Sequence, residues 1–152
     1  MTKPTLIIDT REKQPLEITC GKLYDNIIRE KLDTGDYSID GLQDVLCVER
    51  KGGVVEFAQN VIQDRFVREL DRMNHKYSFV VLEFTLEELL RYPKDCGIPP
   101  KIIKKVRYNG KFVLSKLVNF QLTYPHIHFV FAGENAIDIV NSICKRVVEK
   151  EW

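Results

Sequence analysis

Two carboxylates and an ammonium are spaced along this chain as phosphodiester hydrolysis needs them: Asp36 in Gly35-Asp36, then Glu49 and Lys51 in Glu49-Arg50-Lys51. Splitting a phosphodiester loads negative charge onto the scissile phosphate. A hard divalent cation held by oxygen ligands neutralises that charge and lowers the pKa of a bound water. Magnesium keeps several of its waters and takes only one or two carboxylates, so Asp36 and Glu49 form a sufficient set for Mg²⁺, with Mn²⁺ as a substitute. Lys51 could orient or deprotonate the attacking water, or stand as a fixed cation beside the developing charge, and the sequence leaves both roles open. A second acidic cluster, Asp9-Thr10-Arg11-Glu12, closes the apolar run Leu6-Ile7-Ile8 and could add Asp9 as a ligand with Glu12 assisting. Taken alone, Glu49-Arg50-Lys51 also reads as a solvated strand end, and Gly35-Asp36 as a turn.

The elements that must position these groups are legible from pattern. Tyr37-Ser38-Ile39 and Asp44 to Val48 flank the turn-like Asp40-Gly41-Leu42-Gln43, which predicts a β-hairpin. With Ile39 facing Asp44, Asp36 falls beside Cys47 and Glu49 is its diagonal neighbour. Glu49 and Lys51 share a strand face about 6.6 Å apart while Arg50 points the other way. Thr5 to Asp9 predicts a buried strand. Beyond the hairpin, helices are expected over 54–63, 65–76, 86–90, near 102–106, over 111–124 and over 134–150, with strands over 77–84 and 126–132. Strands alternating with helices imply an α/β layer architecture with a central mixed sheet, antiparallel in its catalytic N-terminal part.

On these residues the chain resembles the nuclease domain of the XPF family (xeroderma pigmentosum group F type structure-specific endonucleases), a restriction-endonuclease-like, PD-(D/E)xK fold. The motifs run in order: Ile7 to Glu12, Leu32 to Tyr37, Val48 to Lys51, and the helical Asp64 to Leu70. The resemblance implies Asp36 and Glu49 as metal ligands with Asp9 supporting the site, Lys51 as catalytic, and Glu12, Arg11 and Arg50 as active-site neighbours. One departure stands out. The family pattern has an Asp four residues after the Lys, where this chain has Val55 followed by Glu56. A one-residue insertion at Gly52-Gly53 would make Glu56 the substitute; equally, Glu56 is an acid favoured at a helix N-terminus.

With 152 residues, 44% hydrophobic and 30% charged, the chain is expected to form one domain over 1–152 without a tandem helix-hairpin-helix module. No apolar run approaches membrane-spanning length and no secretory signal is seen, so a cytoplasmic location is expected, or a nuclear one in a eukaryote. Cys20, Cys47, Cys96 and Cys144 are scattered and read as reduced, mostly packing residues. His126-x-His128 lacks further ligands and is not read as a metal pair.

The net charge of +1 gives no global support for nucleic-acid binding, so local charge must supply it. Lys101, Lys104, Lys105, Arg107, Lys111 and Lys116 fall in a stretch without acids and read either as phosphate contacts or as a solvated amphipathic face. Arg65, Arg68 and Arg72 line one helical stripe that reads in isolation as structural, with Arg65 a further candidate for DNA contact. The last helix carries more apolar surface than one core stripe needs. By resemblance, that helix and the strand before it imply a homodimer, or a docked heteromeric partner. The expected activity is metal-dependent cleavage of branched, flap or junction DNA. The competing reading is a catalytically inactive DNA-binding or partner-docking module of the same fold.

Overall fold

The computed structural model describes residues 2–152 and contains one six-stranded mixed sheet with helices on both faces. Four strands lead: β1 (Thr5–Ile8), β2 (Asn26–Arg29), β3 (Tyr37–Ile39) and β4 (Leu46–Lys51). There follow α1 (Val54–Asn60), α2 (Asp64–Arg72), β5 (Tyr77–Leu82), α3 (Leu86–Arg91), α4 (Pro100–Ile103), α5 (Gly110–Thr123), β6 (Ile127–Phe131) and α6 (Ala136–Glu151). Across the sheet the order is β2-β1-β3-β4-β5-β6, with β1/β3 and β3/β4 antiparallel and the other neighbours parallel.

Alternation along the strands sends side chains to two cores. On one face, Cys47, Val80 and Leu82 pack beneath α1, α2, α3 and α5, and Phe66 stacks edge-on to Phe57 and Phe120 at 6.0 and 5.5 Å. On the other, Leu6, Ile8, Tyr37, Ile39, Val48 and Val81 pack against Val140, Cys144 and Val147 of α6. There the Tyr24 hydroxyl donates to Asn141 Oδ1 at 2.7 Å. Each fully buried Leu, Ile or Phe in these cores contributes about 1.5–3 kcal/mol. Among the described residues no helix is long and apolar enough to cross a membrane.

Three expectations are corrected. The β3–β4 register pairs Tyr37 with Val48, two residues from the expected alignment. The cause lies in the connection: the Leu42 amide donates to Ile39 O and the Leu46 amide returns to Leu42 O, so the loop runs from Asp40 through Val45. A slip of two keeps every side chain on its face and carries Asp36 to the level of Glu49 instead of Cys47. Second, β2 was not expected, because only Ile27 and Ile28 of this edge strand are apolar. Third, α4 ends at Ile103, short of the expected Val106.

Candidate active site

Gly35 brings the first carboxylate into place. Its φ is +88°, and a Cβ there would come within 2.7 Å of Cys47 Sγ, so both the left-handed backbone and the close approach to β4 require glycine. Asp36 is then held between β1 and β4: its carbonyl accepts from the Asp9 amide and its own amide donates to Val48 O, both at 2.8 Å. Its Oδ2 accepts the Arg50 amide at 2.8 Å.

Asp36 and Glu49 lie within hydrogen-bonding reach of each other. Burial pushes the Asp36 carboxyl up to about 6, opposed by the Arg50 amide and reinforced by the charge of Glu12. Burial also raises Glu49 well above the usual carboxylate range, with the neighbouring Asp36 charge adding to it and Lys51 opposing. Two acids so disposed bind a proton more tightly than a solvated pair would. They line a cavity of about 170 Å³ together with Asp9, Arg11, Asp33, Thr34, Gly35, Glu69 and Arg72.

Lys51 stands beside them on the same face of β4. Its side chain is buried, with Nζ 3.8 Å from Glu49 Oε1 and 3.5 Å from Glu69 Oε2, 4.9 Å from the centroid of the Phe66 ring. Glu69 and Phe66 both come from α2, which therefore closes the site from above. Sequence reasoning missed Glu69 as a site residue, although it lies inside the Asp64 to Leu70 motif three residues from buried Phe66, a spacing that puts both on one helical face. Arg72, one further turn along, also reaches the cavity, while Arg65 and Arg68 are exposed on α2 and lie outside it.

Asp9 is almost wholly buried, and both its oxygens are hydrogen-bonded. Oδ1 accepts the Leu32 amide at 2.8 Å, while Oδ2 accepts Arg11 Nε at 2.8 Å and the Arg11 amide at 3.2 Å. Burial alone would raise its pKa, but the Arg11 guanidinium and the two amides outweigh it and hold the carboxyl below its ordinary value. Asp9 thus ties the segment before Gly35 to β1. Among the described residues no group of three His, Cys, Asp or Glu side chains forms a ready-made metal cage.

The Arg50 side chain lies on the opposite face. It grips Glu83 through two bonds of 3.0 Å, approaches Glu12 Oε2 at 3.4 Å and donates to Gln14 O at 2.5 Å. Glu12, Arg50 and Glu56 border a neighbouring cavity with Lys13, Gly52 and Gly53, so Glu56 is not brought together with Asp36 and Glu49. Lys101, Lys104, Lys105, Arg107 and Lys111 are exposed around α4 and the start of α5. His126 Nε2 meets Met73 O at 2.9 Å and His128 packs on Phe79, both structural contacts.

A model of the ERCC4 domain matches residues 8–145. No curated protein matches the chain. Among solved structures, XPF from Aeropyrum pernix is similar, with a TM-score of 0.64 at 18% identity over 97% of this chain and 66% of that one. XPF from Aeropyrum pernix in complex with DNA gives a TM-score of 0.62, again at 18% identity and with the same coverage. The chain therefore spans about two thirds of the solved chains it matches, and at this identity the likeness is one of fold. With the family model extending over nearly its whole length, from the β1 strand to the last helix, the chain belongs to the ERCC4 domain family, a family of nuclease and DNA-binding modules.

Proposed function

We propose that this chain is a divalent-metal-dependent endonuclease that hydrolyses DNA, at branched, flap or junction structures, using Mg²⁺ or, in its place, Mn²⁺. The observation that carries this is the pairing of two half-buried carboxyls with raised proton affinity, Asp36 and Glu49, beside the buried ammonium of Lys51. Structural carboxylates are normally held ionised by partners, as Asp9 is; a pair pushed the other way is poised for a cation to replace the proton. The donors fit the group: hard oxygens from two carboxylates, in a cavity with room for water, suit magnesium better than a softer metal. When bound, the ion supplies Lewis acidity to the phosphate and an acidified water.

The chain's own residues do the rest. The Arg50 amide holds the Asp36 carboxylate, and Glu49 and Glu69 together hold the Lys51 ammonium beside it, where an attacking water would be oriented and the developing phosphate charge offset. Asp9 with Arg11, and Arg50 with Glu83 and Glu12, brace the strands that carry these groups. Glu56 takes the role of a first-turn acid of α1 in this reading. The DNA complex of XPF from Aeropyrum pernix supports DNA as the partner, and exposed Arg65 and the basic α4–α5 region provide phosphate contacts. An apolar groove between β5 and α6, lined by Tyr77, Phe79, Ile143 and Val147, supports a homodimer through the last helix.

The test is direct. Wild-type protein incubated with labelled flap, junction and duplex DNA in Mn²⁺ should yield products that EDTA abolishes. Asp36→Asn and Lys51→Ala should each remove cleavage while leaving binding within a few-fold. Cleavage persisting in both variants would falsify the assignment; a wild type that binds without cutting would favour the docking-module reading.

A further inference from the structure

Acidic and basic side chains are segregated along this chain. Between Cys96 and Gly133 there is no Asp or Glu, and Lys101, Lys104, Lys105, Arg107, Lys111 and Lys116 all fall there. The segment carries +6, whereas the remaining residues, with 17 basic and 22 acidic side chains, carry −5. Among the described residues none of these six cations takes part in an ion pair, and all but Lys116 are exposed. A merely solvated helix face usually mixes signs; this one is an uncompensated positive surface on a chain whose remainder is negative.

Two aromatic rings sit within that charge. Tyr108 and Phe112 are stacked, with centroids 4.3 Å apart and planes inclined by 15°. The Arg107 guanidinium lies 6.0 Å from the Tyr108 centroid and Lys116 Nζ lies 5.6 Å from that of Phe112. Phe112 packs against the core of this face, while Tyr108 stands outside the core and is partly exposed. The backbone beneath is rigid: Asn109 caps α5 by accepting the Phe112 amide at 3.0 Å, and the Gly110 amide donates to Tyr92 O at 2.9 Å. Gly110 itself lies so close to the Leu89 carbonyl that any side chain there would overlap it.

Topology puts this platform at the catalytic end of the sheet. Lys51 pairs with Leu82 at the carboxyl end of β5, and Glu83 donates to Lys51 O. From there the chain runs through α3, a helix of six residues and so about 9 Å long, and α3 lies against the start of α5. Because β6 is parallel to β5 and begins opposite Ser78, α5 must start at the Lys51 end and descend to the other.

We propose that this surface binds an unpaired DNA strand, with Tyr108 stacking on a base and Lys101, Lys104, Lys105, Arg107 and Lys111 holding its phosphates. The inference rests on the reading of the chain as a DNA enzyme and deepens it by naming the unpaired arm of the substrate as the recognised part. Phosphate charge alone would not distinguish strands from duplexes. A partly exposed aromatic ring does, because only an unpaired base presents its face to a side chain.

Binding of a labelled oligothymidylate and of a duplex of equal length is measured by fluorescence anisotropy in EDTA, where metal-dependent cutting cannot intervene. Tyr108→Ala should weaken single-strand binding about tenfold and leave duplex binding within about twofold. Tyr108→Trp should retain wild-type affinity, and Lys104→Glu with Lys105→Glu should weaken both ligands and flatten the salt dependence. Should Tyr108→Ala melt early, Tyr108→Leu, which keeps apolar contact with Phe112 but offers no ring, is read in its place. The proposal is overturned if the folded variant binds the single strand as wild type does, or loses strand and duplex equally. A wild type that binds strands through Tyr108 yet cuts nothing in Mn²⁺ supports this surface and ends the nuclease reading.

Discussion

Lys51 and Glu69 meet across two elements, the ammonium at the end of β4 lying 3.5 Å from the Glu69 carboxylate on α2. A buried lysine on a flexible stem needs more than one anchor to point in one direction, and Glu49 in its own strand provides only the other, at 3.8 Å. Glu69 is thus a positioning residue for the proposed reaction. Glu69→Leu is expected to slow single-turnover cleavage about 10- to 100-fold, the range a small misplacement of a catalytic group costs, with DNA affinity intact. Glu69→Gln keeps an acceptor and should recover most of the rate. Equal loss in both variants would point to charge, not orientation, as the Glu69 contribution.

The Asp36 and Glu49 pair makes stability depend on pH with a definite sign. Asp36 ionises at about 6 when folded against an ordinary 3.8, so the folded state binds its proton more tightly than the unfolded chain does. Its contribution is therefore favourable below about pH 4 and is lost as pH rises towards 6, a change of up to about 3 kcal/mol. Asp36→Asn should accordingly be more stable than wild type at pH 7 by urea unfolding. Mn²⁺ should raise the wild-type melting temperature at pH 7 and much less at pH 5, and should do nothing for Asp36→Asn or Glu49→Gln.

Asp9 has the opposite linkage. Its carboxyl is held below the ordinary 3.8 by Arg11 and the Leu32 amide, which together overcome burial. The stabilisation is present above about pH 4 and disappears as acid protonates the folded group. Asp9→Ala leaves two amides and a guanidinium without their acceptor, and should cost about 2–4 kcal/mol in urea unfolding. Acid titration of the variant should lack the corresponding fall in stability.

The groove between β5 and α6 carries a prediction about assembly. Ile139, Ile143 and Val148 are only partly buried on a helix whose Val140, Cys144 and Val147 already fill the core. Ile143→Glu should convert a dimer into a monomer by sedimentation without lowering the melting temperature of the monomer. A wild type that sediments as a monomer at micromolar concentration removes the dimer.

Much of the site was legible because its residue types are dictated by chemistry and its strands by alternation. Glu49 and Lys51 share a face by the two-residue period of β-structure alone, and Asp36 faces them whether the hairpin slips by two residues or not. Boundaries and long-range partners were not legible. The extra turn between Ile39 and Leu46 depends on backbone bonds that composition does not announce, and the β2 edge strand is held by its ladder with β1 instead of by apolar pattern.

What the sequence by itself determined was the order of elements other than β2, the mixed α/β layering and the placing of Glu49 and Lys51 on one strand face, because these follow from local periodicity and residue type. Only the tertiary structure decided that both Asp9 oxygens are hydrogen-bonded by Arg11 and Leu32, that Glu56 sits with Arg50 away from the Asp36 cavity, and that Glu69 reaches over from α2 to Lys51. Those are contacts between segments far apart in the chain, and which of several acids meets which cation is set by how helices pack on the sheet, a quantity no local pattern encodes.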